Sequence, residues 1–134
     1  MITEDYVSFE IAKLLKEKGF CENTEHEIWY VIKQFSTGCH WNSCTYKIGD
    51  ITREYNDDCC ILMPTLQMAR KWLREIHDID IMIWVENYNG IKQYVSDCWK
   101  NVTQINSNFH RCGRFSSYNE AYEVTIKYCL ENLI

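Results

Sequence analysis

The tetrapeptide Tyr88-Asn89-Gly90-Ile91 limits what this chain can fold into more than any other feature. Asn-Gly suits the positive-φ pair of a two-residue type I′ turn, whose twist matches two antiparallel strands. Its flanks, Asp80 to Tyr88 and Ile91 to Trp99, are rich in Ile, Val, Trp and Tyr, residues that fit a pleated surface. A turn of that length leaves one register. Val85 then lies opposite Tyr94, Ile83 opposite Ser96 and Ile81 opposite Cys98 on one face. Trp84 opposite Val95 and Met82 opposite Asp97 lie on the other. Further strands are predicted over Glu27 to Phe35, over Cys44 to Thr52 (weakened by Gly49) and over Asn108 to Phe115.

Three segments carry a helical period instead. From Ser8 to Lys18, a hydroxyl cap precedes Ile11, Leu14 and Leu15, with Val7 just ahead of it. Gly19 stands where a left-handed residue ends a helix, and Phe20 can fold back on Leu15. After Pro64, Thr65 caps a helix to about His77, with Leu66, Ala69, Trp72, Leu73 and Ile76 as its apolar stripe. Ser117-Tyr118-Asn119-Glu120 reads as a capping box for a third helix, whose inner face is Ala121, Tyr122, Thr125, Ile126, Cys129, Leu130 and Leu133. The order is α-β-β-α-β-β-(β)-α, with three helices and a mainly antiparallel sheet. The class is α+β. No Pro-, Ser- or Gly-rich linker interrupts residues 1–134, so a single domain is expected.

The starts of the first two helices also match each other. Ser8-Phe9-Glu10-Ile11-Ala12-Lys13 parallels Thr65-Leu66-Gln67-Met68-Ala69-Arg70 in chemical type. A duplicated helix-strand-strand unit would explain this; shared helix grammar explains it more simply. The same stretches resemble a group of small proteins without assigned activity, found in gut bacteria, their phages and mobile elements. The resemblance rests on Tyr6-Val7-Ser8-Phe9-Glu10, Ala12 to Phe20, Pro64 to Ala69, Lys71 to Glu75, Ala121 and Ile126 to Ile134. It covers the helices, whereas Cys21 to Met63 matches poorly. It implies a cytoplasmic accessory protein and transfers no functional residue.

Composition narrows the function classes. Aromatics at 14% and a hydrophobic fraction of 46% exclude intrinsic disorder. No apolar run approaches the ~20 residues of a membrane helix, and the start Met-Ile-Thr-Glu-Asp lacks a signal peptide's basic, apolar pattern. A cytoplasmic setting is expected. There the eight cysteines read as buried thiols rather than disulfides. Cys39, His40, Cys44 and Cys59 are the nearest approach to metal-ligand spacing, or to an enzyme site, but adjacent Cys59 and Cys60 suit one ion poorly. Glu25-His26-Glu27 reads as a solvated strand start. His77, near a helix C-terminus, reads as a cation favoured by the dipole. No phosphate-cradling loop or hydrolase elbow is present. No cofactor or catalytic residue is assigned.

Two surfaces remain. A net charge of −5 disfavours nucleic acid, although Arg70, Lys71 and Arg74 share one helix face and form the alternative, basic site. The first candidate is a protein-contact surface, for a partner or for self-association. Trp29, Tyr30, Trp41, Tyr46 and Tyr55 concentrate in residues 21–63, and Trp and Tyr dominate interface hot spots.

Overall fold

The computed structural model describes residues 2, 5–20, 28–35, 38–45 and 60–134, with the backbone alone for 28–35, 38–45, 60 and 62. Two compact units emerge, one from residues 6–64 and one from residues 1–5 with 65–134. Among the described residues, three helices and antiparallel pairing in every ladder make the class α+β.

In the N-terminal unit, α1 spans Phe9–Glu17. The Ser8 side chain accepts from the Ile11 amide at 3.3 Å, satisfying one of the donors that a helix start leaves free. The helix closes with the Phe20 amide on the Leu15 carbonyl at 2.9 Å and the Gly19 amide on Lys16 at 3.1 Å, the paired bonds of a Schellman end. Val7, Ile11, Ala12, Leu15 and Phe20 are buried. Strands β1 (Ile28–Phe35), β2 (Gly38–Thr45) and β3 (Cys60–Leu62) form a sheet in the order β2-β1-β3.

Here the sequence reading needs correction. The second described strand occupies Gly38–Thr45, which starts before the expected Cys44 to Thr52; residues 46–52 of that expectation lie outside the described residues. A third, short strand was not foreseen. Gly38-Cys39-His40-Trp41-Asn42-Ser43-Cys44-Thr45 has weak strand character of its own. It is extended because each residue from Gly38 to Thr45 lies in register with β1, Phe35 opposite Gly38 through Ile28 opposite Thr45.

The C-terminal unit runs α2 (Leu66–His77), β4 (Ile79–Tyr88), β5 (Ile91–Lys100), β6 (Asn108–Phe115) and α3 (Tyr118–Asn132). The strands form a meander in the order β4-β5-β6. The hairpin has the register that Asn-Gly dictates, from Tyr88 opposite Ile91 to Ile79 opposite Lys100. Asn89 and Gly90 sit at φ 52° and 80°, and the Gly90 amide donates to Asn87 Oδ1 at 2.9 Å. Between β5 and β6 the register slips at Ser96/Asp97. Cys112 is the extra residue of a bulge there, and Gly113 takes φ +134° beside it.

Both helices pack on the face that carries Ile79, Ile81, Ser96 and Cys98. All seven inner-face residues expected of α3 are buried. The Thr125 hydroxyl donates to the Ala121 carbonyl and shares a 2.7 Å hydrogen bond with the Ser96 hydroxyl. His110 stacks on Tyr128 with 3.8 Å between ring centroids. On α2, Thr65 caps the Met68 amide at 3.2 Å, and Leu66, Ala69, Trp72 and Leu73 are buried. Ile76, expected in that stripe, is instead 60% exposed. The inward row runs Leu66, Ala69 and Arg70, Leu73, His77, so the last inward position belongs to His77, whose ring meets Trp72 edge-on at 4.5 Å.

The helix-start likeness does not extend to the sheets. Among the described elements, each unit has a helix and three strands, but the first strand is central in one sheet and the second strand in the other.

Candidate functional site

The buried thiols come first, because reactive cysteine chemistry would begin there. Cys98, Cys112 and Cys129 are free, and they reach one another from β5, β6 and α3. The Cys98 hydrogen bond with Cys112 favours its thiolate, but the bond with Cys129, burial, and the Cys129 and Asp97 charges outweigh it. The result pushes Cys98 up to about 12. The hydrogen bond to Cys98, then burial, hold Cys112 far above the ordinary thiol range. The raised values keep Cys98 and Cys112 protonated, and protonated thiols are poor nucleophiles. Among the described residues, no group of three or more His, Cys, Asp or Glu has the geometry to hold a metal ion. Of the metal-spacing candidates, Cys39, His40 and Cys44 occupy register positions opposite Gln34, Lys33 and Trp29, while Cys59 lies outside the described residues. His26 lies outside them too.

His77 is not the cation expected from its place at a helix end. Burial, then the Lys100 charge, lowers its pKa. Its Nε2 is occluded with no hydrogen-bond partner among the described residues, and the helix is capped by left-handed Asp78.

The predicted basic face is not brought together. Arg70 turns inward, donating through Nη1 to the Tyr122 hydroxyl at 2.7 Å and through Nη2 to the Ile81 carbonyl at 2.8 Å. Lys71 lies 4.0 Å from Glu75 on the solvent side, and Arg74 is exposed. Arg70 is thus a structural bracket between α2, β4 and α3. Of the aromatic candidates, Trp29 and Tyr30 sit on the central strand β1, opposite Cys44 and Ser43, and Trp41 sits on β2 opposite Ile32. Tyr46 and Tyr55 lie outside the described residues.

A surface that the sequence reading did not single out runs along the other face of β4-β5-β6. Alternation places Asp80, Met82, Trp84, Glu86 and Tyr88 on it from β4, with Ile91, Gln93, Val95, Asp97 and Trp99 from β5. From β6 come Phe109, Arg111 and Arg114. Phe109 is 49% exposed, Tyr88 56% and Ile91 61%. Trp99 meets Phe109 edge-on at 5.6 Å, and the Arg111 guanidinium lies 5.4 Å from the Trp84 ring centre.

The charges of this face close on one another. Arg111 Nε donates to Asp97 Oδ1 at 3.0 Å and Nη2 to Oδ2 at 3.4 Å. The Arg114–Glu86 pair is 3.1 Å apart. The Asp97 hydrogen bond, then its charge, pushes Arg111 above its ordinary value. Two polar atoms on the same face, Trp99 Nε1 and Gln93 Oε1, are occluded with no partner among the described residues. The signal was available in the sequence: β4 is apolar on both faces, Ile81 and Ile83 on one, Met82 and Trp84 on the other. One buried side would need only the first pair.

A cleft of about 220 Å³ at the N-terminal ends of α2 and α3 is lined by Asp5, Thr65, Leu66, Gln67, Tyr118, Asn119 and Tyr122. That is below the ~300–1,000 Å³ of ordinary small-molecule sites. No helix among the described residues is long and apolar enough to cross a membrane. In comparisons with known proteins, no family model, curated protein or solved structure matches the chain.

Proposed function

We propose that this chain is a small, non-catalytic binding module that contacts a protein through the open face of β4-β5-β6. Trp84, Trp99, Phe109, Tyr88, Met82 and two arginines are the residue types enriched where proteins meet. The observation that carries the reading is their pairing pattern. The arginines are already neutralised by Asp97 and Glu86, so the face offers aromatic area rather than positive potential. A polyanion needs the opposite. The cytoplasmic accessory role implied by the helix resemblance belongs to the same proposal.

The test is capture from host lysate on immobilised full chain, compared with Phe109→Glu and Ile91→Glu. Phe109 is 49% exposed and Ile91 61%, so the substitutions bear on contact before folding. Loss of captured protein in both variants, with no salt-dependent retention on a heparin column, supports the reading. Capture indifferent to both variants, or heparin retention abolished by Lys71→Ala with Arg74→Ala, defeats it.

A further inference from the structure

We propose that the tip of the β4-β5 hairpin is a self-modification site. Asn89 loses its side-chain amide to attack by the Gly90 nitrogen, and Asn87 is the positioning residue that holds the reaction back.

The two reacting groups adjoin in the chain, and both residues are exposed. Gly90 has no side chain to crowd its nitrogen, and even a Cβ placed there would meet nothing within 4 Å. Water is the sole co-reactant. The Gly90 nitrogen gives its proton to hydroxide and bonds to Asn89 Cγ. The Cγ–Nδ2 bond breaks, and the departing nitrogen takes a proton from water to leave as ammonia. The five-membered imide then adds water at either carbonyl and reopens, as aspartate or as isoaspartate. Nothing is oxidised or reduced.

The same turn carries the restraint. The Gly90 amide donates to Asn87 Oδ1 at 2.9 Å. Asn89 and Gly90 hold the left-handed pair of the turn, at φ 52° and 80°, closed by Tyr88 opposite Ile91. Ring closure needs rotation about the Asn89 Cα–C bond to bring the Gly90 nitrogen onto Cγ. That rotation takes the N–H away from Asn87. The reaction therefore runs from locally opened tips, whose population the Asn87 hydrogen bond limits.

The two products leave different turns. Aspartate keeps an Asp-Gly pair, which a type I′ turn accepts. Isoaspartate routes the backbone through the side-chain carbon and adds a methylene to a two-residue loop, whose length fixes the register of the strands. The modification thus acts on the hairpin whose pairing builds both faces of the sheet.

Peptide mapping of the full chain after incubation in warm, mildly alkaline buffer reads the amide-to-acid mass gain at Asn89. The same chain unfolded in guanidinium chloride is the reference. Wild type is expected to convert slowly when folded and about tenfold faster or more when unfolded. Folded Asn87→Ala should convert about fivefold faster than folded wild type, the weight of one ordinary hydrogen bond. Asn87→Asp keeps an acceptor oxygen and should return the rate to that of wild type. Amide exchange along β4 and β5 is read on the same samples, so that a variant with a loosened hairpin is recognised. Acceleration in Asn87→Ala with exchange unchanged, reversed in Asn87→Asp, supports the proposal. It is overturned by a folded wild type that converts as fast as the unfolded chain, or by an Asn87→Ala rate equal to that of wild type. Equal acceleration in both variants, or acceleration that comes only with general loosening of the hairpin, overturns it as well.

Discussion

The two faces of the β4-β5-β6 sheet come from one alternating pattern and end as opposites. On the covered face the central strand presents Ser96 and Cys98, and the bulge adds Gly113. These small side chains let α3 approach closely, with Ala121, Thr125 and Cys129 against them, all fully buried. On the open face the same strands present Met82, Trp84 and Trp99 beside paired arginines. Val95 and Asp97 at its centre are buried, while Phe109, Tyr88 and Ile91 around them stay about half-exposed or more. The difference shows that hydrophobicity alone does not decide where a helix docks. Side-chain volume does, since interiors close to crystal-like density only when large meets small.

Substitutions can break this comparison, beginning with the largest effect. Tyr122→Ala removes a fully buried ring and the acceptor of Arg70. It should cost about 3–5 kcal/mol, read as the urea midpoint. An effect no larger than that of Phe109→Ala, expected within about 0.5–1 kcal/mol on the open face, would erase the distinction between the faces. Thr125→Val keeps volume but strands the buried Ser96 hydroxyl. A loss of about 1–3 kcal/mol is expected, and Ser96→Ala with Thr125→Val should recover part of it.

Acidity sharpens the covered side further. His77 has a folded pKa below its ordinary 6.5, so the unfolded chain takes up the proton first. Its contribution is fully present above pH 6.5 and declines as pH falls from there toward the lower folded value. Thermal midpoints across that window should fall less steeply in His77→Phe than in the wild type; equal slopes would show that His77 does not titrate this way. Smallest of all, Lys71→Ala breaks a solvent-side pair with Glu75, 4.0 Å apart and more than half exposed on both sides. A change under about 0.5 kcal/mol in the denaturation midpoint is expected.

Much of the architecture was legible in residues that act locally. Asn89-Gly90 set the whole β4-β5 register, and Ser8, Thr65 and Ser117 capped the helices they precede. For Ser117 the box is only half made: it caps the Glu120 amide at 3.1 Å, but the Glu120 carboxylate takes the Ser116 hydroxyl instead. What stayed hidden depends on partners distant in sequence. Strand β2 owes its extension to the ladder with β1, so its own composition did not announce it. Arg70 looked like solvent-facing charge because the Tyr122 hydroxyl and Ile81 carbonyl that receive it come from other elements. His77 displaced Ile76 from the inward row for the same reason. The open face itself was implicit in the register, as Trp84 opposite Val95 and Met82 opposite Asp97, yet a concentration of rings in residues 21–63 drew the eye elsewhere.

Hydroxyl-radical labelling of the full chain, read by mass spectrometry, tests the difference between the two faces most directly. Corrected for intrinsic reactivity, labelling should be high at Phe109 and Tyr88 on the open face and near background at Tyr122 and Leu130 under the covered one. Labelling of Tyr122 as strong as that of Phe109 and Tyr88 would contradict the account.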